Sequence, residues 1–342
     1  MRKANLMVAA LILGAVVAGC QSTPSGEPSD AAEYMGNASP AASPDVTVEP
    51  AGEVTSSPAV TSLATDGALI AVRSAGTLTV GTLDEIVSGA GRSFALDDSC
   101  GAVSASPGVF AAGCGDTIRM FTPGGETETP AEANATAVAV TSAGDVLAAS
   151  DADRTVHVYR DGKVADSFTA ARETDLLVAV PRGDAGDSTD QAVRVNRFDT
   201  TVQNLDIANG RQGGTLRAGL GIGTIATGPG GLVLASDATG SQLLVYLVDN
   251  VIRLQMSAPV ASNPWAVAWD DAHRLAWTAS TALNTAEGYD LSKGVPSRRA
   301  SFPTVRDAQS MISLNDGTLV LASAAGDGIQ VVSPSTIEGA LS

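Results

Sequence analysis

The chain has 342 residues, with 37 acidic side chains against 20 basic ones and a formal net charge of −17. That balance repels polyanions, so it argues against nucleic acid and against an anionic membrane surface as charge-driven partners. Hydrophobic residues make up 44%, enough for a core and too many for wholesale disorder, while 3 Cys and 2 His are too few for a zinc-finger framework or a His-rich centre.

Arg2 and Lys3 form a basic start, and residues 6–19 are apolar or small. Such a run is too short for a bilayer-spanning helix, which needs about 20 residues. It fits the hydrophobic region of an export signal. The run ends in Val17-Ala18-Gly19-Cys20, which resembles a bacterial lipobox. In lipoproteins of that kind the signal is cut before the cysteine, and its thiol is acylated. The expectation is therefore a signal peptide at 1–19, a lipid on Cys20, and a protein held at the extracytoplasmic face of the cell membrane. An ordinary secretory signal with an incidental cysteine is the weaker reading. Without residues 1–19 the net charge is about −19, and Lys163 and Lys293 are the lysines that remain. Sparse lysine with abundant Arg and Ala hints at a GC-rich genome such as an actinobacterium.

Residues 20–58 follow as the lipidated cysteine and a tether rich in Ser, Pro, Ala and Gly. It holds too little apolar surface to offset its ordering entropy, and as a coil it would reach roughly 35 Å. Val46-Thr47-Val48 is an alternating exception.

From residue 59 to 342 one pattern recurs. A short apolar strand is followed by a turn, a run such as Val-Leu-Ala-Ser, a polar loop and another alternating strand. The clearest copies are 144–159 (GDVLAASDADRTVHVY), 231–246 (GLVLASDATGSQLLVY) and 317–332 (GTLVLASAAGDGIQVV); weaker ones lie at 67–80, 108–121 and 273–289. The leading strands begin at Thr61, Ala102, Ala137, Leu176, Thr224, Ala266 and Ser310. A period near 40 with short strands predicts an all-β fold, a β-propeller of seven four-stranded blades. The unit starting at Leu176 is the least regular and lacks a clear second copy, so six or eight blades stay open. A pair of sandwiches or a β-helix would repeat at shorter periods. No Trp-Asp or Gly-His signature marks strict WD40 repeats; the pattern is closer to YVTN and quinoprotein-like propellers. Ring closure needs a fourth strand for the last unit, from residues 335–341 or from the piece around 45–54, and the N-terminal piece is favoured.

Residues 216–219 (LRAG), 240–246 (GSQLLVY), Asn284-Thr285, 288–291 (GYDL) and Pro303-Thr304-Val305 resemble the LppL-type conserved lipoproteins of mycobacteria and relatives. The likeness spans roughly 205–335, and more loosely the N-terminal half. It implies an anchored envelope propeller and names no activity.

Candidate chemistry is sparse. A hairpin centred on Pro107 would set Cys100 opposite Cys114, and outside the cytoplasm a disulfide is expected. Asp116, Asp151, Asp153, Asp237 and Asp327 fall in loops that a propeller gathers on one rim. They could take Ca²⁺ or a cationic partner, or simply cap turns. His157 on a strand and His273 after Asp270-Asp271 read as structural. Trp265, Trp269 and Trp277 lie within one unit, as core or as a stacking platform. The run Gly219-Leu220-Gly221-Ile222-Gly223 lacks the Lys and helix of a phosphate loop. No Ser-His-Asp set assembles, and neither a cofactor nor a metal is expected. The function read from these features is a binding module in the envelope, for a protein, glycan or small molecule. The alternative is a propeller enzyme, a lactonase-like hydrolase or a quinone-dependent dehydrogenase.

Overall fold

A computed structural model describes residues 36–182 and 190–341. The signal peptide and Cys20 lie outside those residues. The chain forms seven antiparallel four-stranded sheets, the blades of a β-propeller. The innermost strands are Val60–Thr65, Ser104–Ser106, Ala137–Val140, Leu176–Val180, Ile222–Gly228, Pro264–Asp270 and Ala308–Ser313, in blades 1 to 7. Each overlaps the segment predicted from the repeat. The three clearest copies are the second and third strands of blades 3, 5 and 7, and the irregular unit is blade 4.

Period-2 side-chain alternation explains the packing. In the second strand of blade 3, Val146 and Ala148 pack toward blade 2, while Leu147 and Ala149 pack toward blade 4. Both faces are buried, which is why Val-Leu-Ala-Ala contains no polar residue. Seven apolar clusters result, one in each gap between neighbouring blades. Outer strands break the rule because they meet water: in Lys163–Thr169 the sole buried side chain is Phe168. The Asp161-Gly162 turn leads into this strand with both residues at positive φ, as a two-residue hairpin turn requires. Hydroxyls join innermost strands around the axis. Ser104 Oγ accepts from Val140 N, and Thr224 Oγ1 donates to Trp265 O and accepts from Val267 N.

The ring closes through the N-terminal piece. Glu53–Thr55 pairs with Ile329–Val332 as the outermost strand of blade 7. The alternating Val46–Val48 lies outside that strand, and residues 335–341 belong mostly to a short helix, Pro334–Ala340. The flexible-tether expectation is corrected for residues 36–58. Gly36 N donates to Phe198 O, Ala41 N to Asn263 Oδ1, Ser43 Oγ to Thr281 O, and Asn284 Nδ2 to Pro44 O. Asp307 N donates to Ser43 Oγ, and Ala51 N to Pro303 O. Small residues and prolines leave the backbone accessible, so this strap binds mostly through main-chain groups, with the buried Ser43 hydroxyl as its side-chain anchor, and an apolar-content argument registers neither.

Cys100 and Cys114 form a disulfide, although the hairpin register is shifted by one from that expected: Ser104 pairs with Ala111 and Ser106 with Val109. Before Ser104 the regular pairing lapses, and contact resumes at the bridge, where Gly101 N donates to Gly113 O and the Cα atoms of Cys100 and Cys114 lie 4.2 Å apart. Buried Arg73 donates to the carbonyls of Asp97, Cys100 and Gly101. Cys100 thus reaches Cys114 from a loop. Closing a loop of this length is worth roughly 3 kcal/mol in the chain-entropy model. A Cys100→Ala/Cys114→Ala pair should therefore lower the urea midpoint at unchanged slope, and an unmoved midpoint would refute the contribution.

Candidate functional site

Innermost strands all run the same way along the axis. The connections between blades, and the loops joining second to third strands, therefore share one face, here the entry face. The turns after the innermost strands and the loops before the outermost strands form the exit face.

Four of the five rim aspartates sit on the entry face, each engaged by a neighbouring group, in its own turn except for Asp151. Asp116 accepts from Thr117 Oγ1, Asp151 from Thr136 Oγ1, Asp153 from Thr155 N and Asp327 from Ser323 Oγ. Asp237 belongs to the same loop set but is 1% exposed, so it leaves the proposed rim. Its Oδ1 accepts from Gly221 N and Gly240 N at 3.0 and 2.8 Å. This accounts for the Gly-rich run: a Cβ at Gly219, where φ is +69°, would stand 2.0 Å from Asp237 Oδ2. The strap crosses the same face over blades 4 to 7. Among the described residues, no three His, Cys, Asp or Glu side chains gather as a metal site.

His273 is tied into the core of blade 6. His273 Nδ1 lies 2.7 Å from Asp270 Oδ2, which also accepts from Trp277 Nε1, and both Asp270 and Trp277 are fully buried. His157 lies on the third strand of blade 3. The three tryptophans divide. Trp277 is core, stacked at 5.1 Å on Phe302. Strand alternation alone would put Trp265 on the face of Trp269, but the register slips between Pro264 and Ala266, so Trp265 occupies a bulge and does not continue that face. Trp269 is half-buried.

An axial cavity of ≈580 Å³ runs between the innermost strands. Each of these strands has a partner on one side only, so its other edge turns backbone N–H and C=O groups toward the axis. The charged lining residues are Asp175 and Arg197, both at the entry mouth. Asp175 Oδ2 accepts from Arg197 N at 2.6 Å. The Arg197 guanidinium stacks over the Trp265 ring at 5.6 Å and donates to Gly223 O. Burial lowers its pKa, and Asp175 partly offsets that. At the exit face a second cavity of ≈400 Å³ opens between blades 5 and 6, lined by Leu232, Tyr246, Met256, Leu291 and Trp269 among others. Trp269 lines both cavities. Its Nε1 donates to Asp271 Oδ1, and Arg274 both covers its ring at 5.3 Å and pairs with Asp271.

Sequence reasoning missed Arg197, which follows a strand with no clear repeat copy. It also missed two buried charges between blades. Arg194 donates Nε to Gln203 Oε1, and burial lowers its pKa to about 10. Glu287 accepts from Tyr289, Arg298 and Ala261 N. Burial pushes its pKa up, but those bonds outweigh it and hold the carboxyl below its ordinary value. Neither lies in a motif; each is readable only once neighbouring blades are in place.

No protein family and no curated protein matches this chain. Solved structures do. One in a mitotic checkpoint complex shares 14% identity at a TM-score of 0.64, over 96% of this chain and 98% of the other. The structure of U3-55K shares 12% at 0.67, over 83% and 100%. The WD40 propeller domain of Doa1 shares 12% at 0.58, over 84% and 98%. At such identity the likeness is one of fold alone, that of a β-propeller.

Proposed function

We propose that this protein is a lipid-anchored extracytoplasmic interaction module, and that it recognises its partner at the exit face around Trp269. One observation carries the choice of face. Trp269 is the half-buried aromatic wall shared by the axial cavity and the blade 5–6 cavity, and such residues at concave, mixed-polarity sites dominate recognition. The entry face is partly taken by the strap. Anchoring is supported by the Val17-Ala18-Gly19-Cys20 lipobox; no helix of the described residues is long and apolar enough to cross a membrane.

The test is crosslinking and affinity capture of the intact lipoprotein from its own envelope. Trp269→Ala should reduce the captured partner by about tenfold or more, the size expected of an interface anchor. Arg119→Ala, on the outer half of blade 2, should leave capture intact. Equal capture by wild type and Trp269→Ala would reject the exit face. Cys20→Ala should release the protein or leave unprocessed precursor, and undiminished fatty-acid labelling of that variant would reject the anchor.

A further inference from the structure

Exposed large apolar side chains concentrate along the strap. Phe198 is 61% exposed, Leu283 55% and Leu220 37%. Each stands at a strap contact on the entry face. Phe198 O accepts from Gly36 N. Leu220 adjoins Gly221, whose Cβ would lie 3.0 Å from Ala38. Leu283 adjoins Asn284, which holds Pro44 O. Val46 and Val48, at 42% and 63%, continue the series on the strap itself. From Gly36 to Pro44 the strap carries no ionisable side chain. Isolated surface apolar residues are ordinary; Phe198, Leu220 and Leu283 are set apart because all flank the strap on one face. The entry face of a chain at −17 therefore has one sector, over blades 4 to 6, where an uncharged ribbon is flanked by Phe and Leu.

Chain length identifies what meets this sector. Gly36 is sixteen residues from Cys20, a span of no more than about 55 Å at full extension and roughly 20–25 Å as a coil. A lipid on Cys20 would hold this sector at high local concentration over the bilayer, so even a weak surface would dock. We propose that the arc of Phe198, Leu220 and Leu283 rests on the membrane that holds the anchor. This rests on the anchored reading above. Docking turns the entry mouth toward lipid and the exit face, with Trp269, toward the envelope. Charge sets the lipid preference: the rim aspartates share this face and Asp45 and Glu49 flank Val46 and Val48, so docking is stronger on neutral phosphatidylcholine than on bilayers rich in phosphatidylglycerol.

The experiment uses the full lipidated chain. With Cys20 acylated and Cys100–Cys114 bridged, an introduced cysteine is the one free thiol. Phe198→Cys, Leu283→Cys and, as an exit-face control, Val295→Cys are each labelled with an environment-sensitive fluorophore and mixed with phosphatidylcholine vesicles. Flotation reports anchoring, and fluorescence reports docking. Positions 198 and 283 should brighten at least about twofold and shift to the blue, as expected on entering an apolar phase. Position 295 should not change. Flotation with equal, small responses at all three positions overturns docking while leaving the anchor standing. No flotation overturns both. Blue-shifted emission at 198 before vesicles are added means that the arc is already covered, by the chain itself or by a second copy, and also overturns the proposal.

Discussion

Deleting residues 45–55 should lower the melting temperature by about 8–16 °C, taking roughly 4 kcal/mol of lost stability and 2–4 °C per kcal/mol for a domain of this size. The deletion removes the Glu53–Thr55 ladder on Ile329–Val332. It also removes both backbone bonds of Ala51, from its N–H to Pro303 O and from Gln330 Nε2 to its carbonyl. At about 1 kcal/mol net per hydrogen bond, these contacts account for most of the loss. The rest comes from unzipping blade 7 beside blade 1, where an unpaired strand edge also invites aggregation. Gly52 offers a graded version. Its φ is +76°, and a Cβ there would lie 2.1 Å from Val331 O, so Gly52→Ala should produce a smaller drop in the same direction. Differential scanning calorimetry on both variants decides the matter; a melt matching wild type for the deletion would mean that the ring closes without this strand.

The parts of the fold that the sequence made legible are those where one residue type answers one physical demand. Innermost and second strands must bury both faces, so Ala137–Val140 and Val146–Ala149 read as unbroken apolar runs, and their spacing counts blades. Turn chemistry at Asp161-Gly162 was equally direct. Main-chain recognition was not legible: the strap from Gly36 to Ala51 has the composition of a linker because, apart from those of the Ser43 hydroxyl, its hydrogen bonds mostly use peptide groups that every sequence possesses. Register along this hairpin was legible only in part: Cys100 faces Cys114 as the sequence predicts, but the pairing slips by one residue at Ser104–Ala111, a shift that no local residue pattern announces. At the candidate site Trp265, Trp269 and Trp277 were visible as a cluster, but a bulge at Trp265 separates them. The wall between two cavities falls to Trp269 through blade packing, to which local spacing is blind.

Asp237 shows the same limit most sharply and yields the second large effect. In the sequence it is one more loop aspartate; in the fold it is a buried carboxylate whose Oδ1 takes the N–H groups of Gly221 and Gly240. Asp237→Ala should cost about 3 kcal/mol, because a buried N–H at Gly221 and a half-buried one at Gly240 lose their acceptor. Asp237→Asn should cost roughly 1 kcal/mol, since an amide oxygen can still accept from both. Gly219→Ala should resemble the alanine variant: the new methyl group cannot share space with the carboxylate, and the backbone there has φ of +69°. Urea titrations with a common slope would rank the three. Equal losses for alanine and asparagine would show that the carboxylate's two backbone bonds are not what holds this loop. Because Asp237 is enclosed, its asparagine variant should also capture the partner as wild type does at a temperature where both are folded. Reduced capture there would return Asp237 to the recognition surface from which its burial removes it.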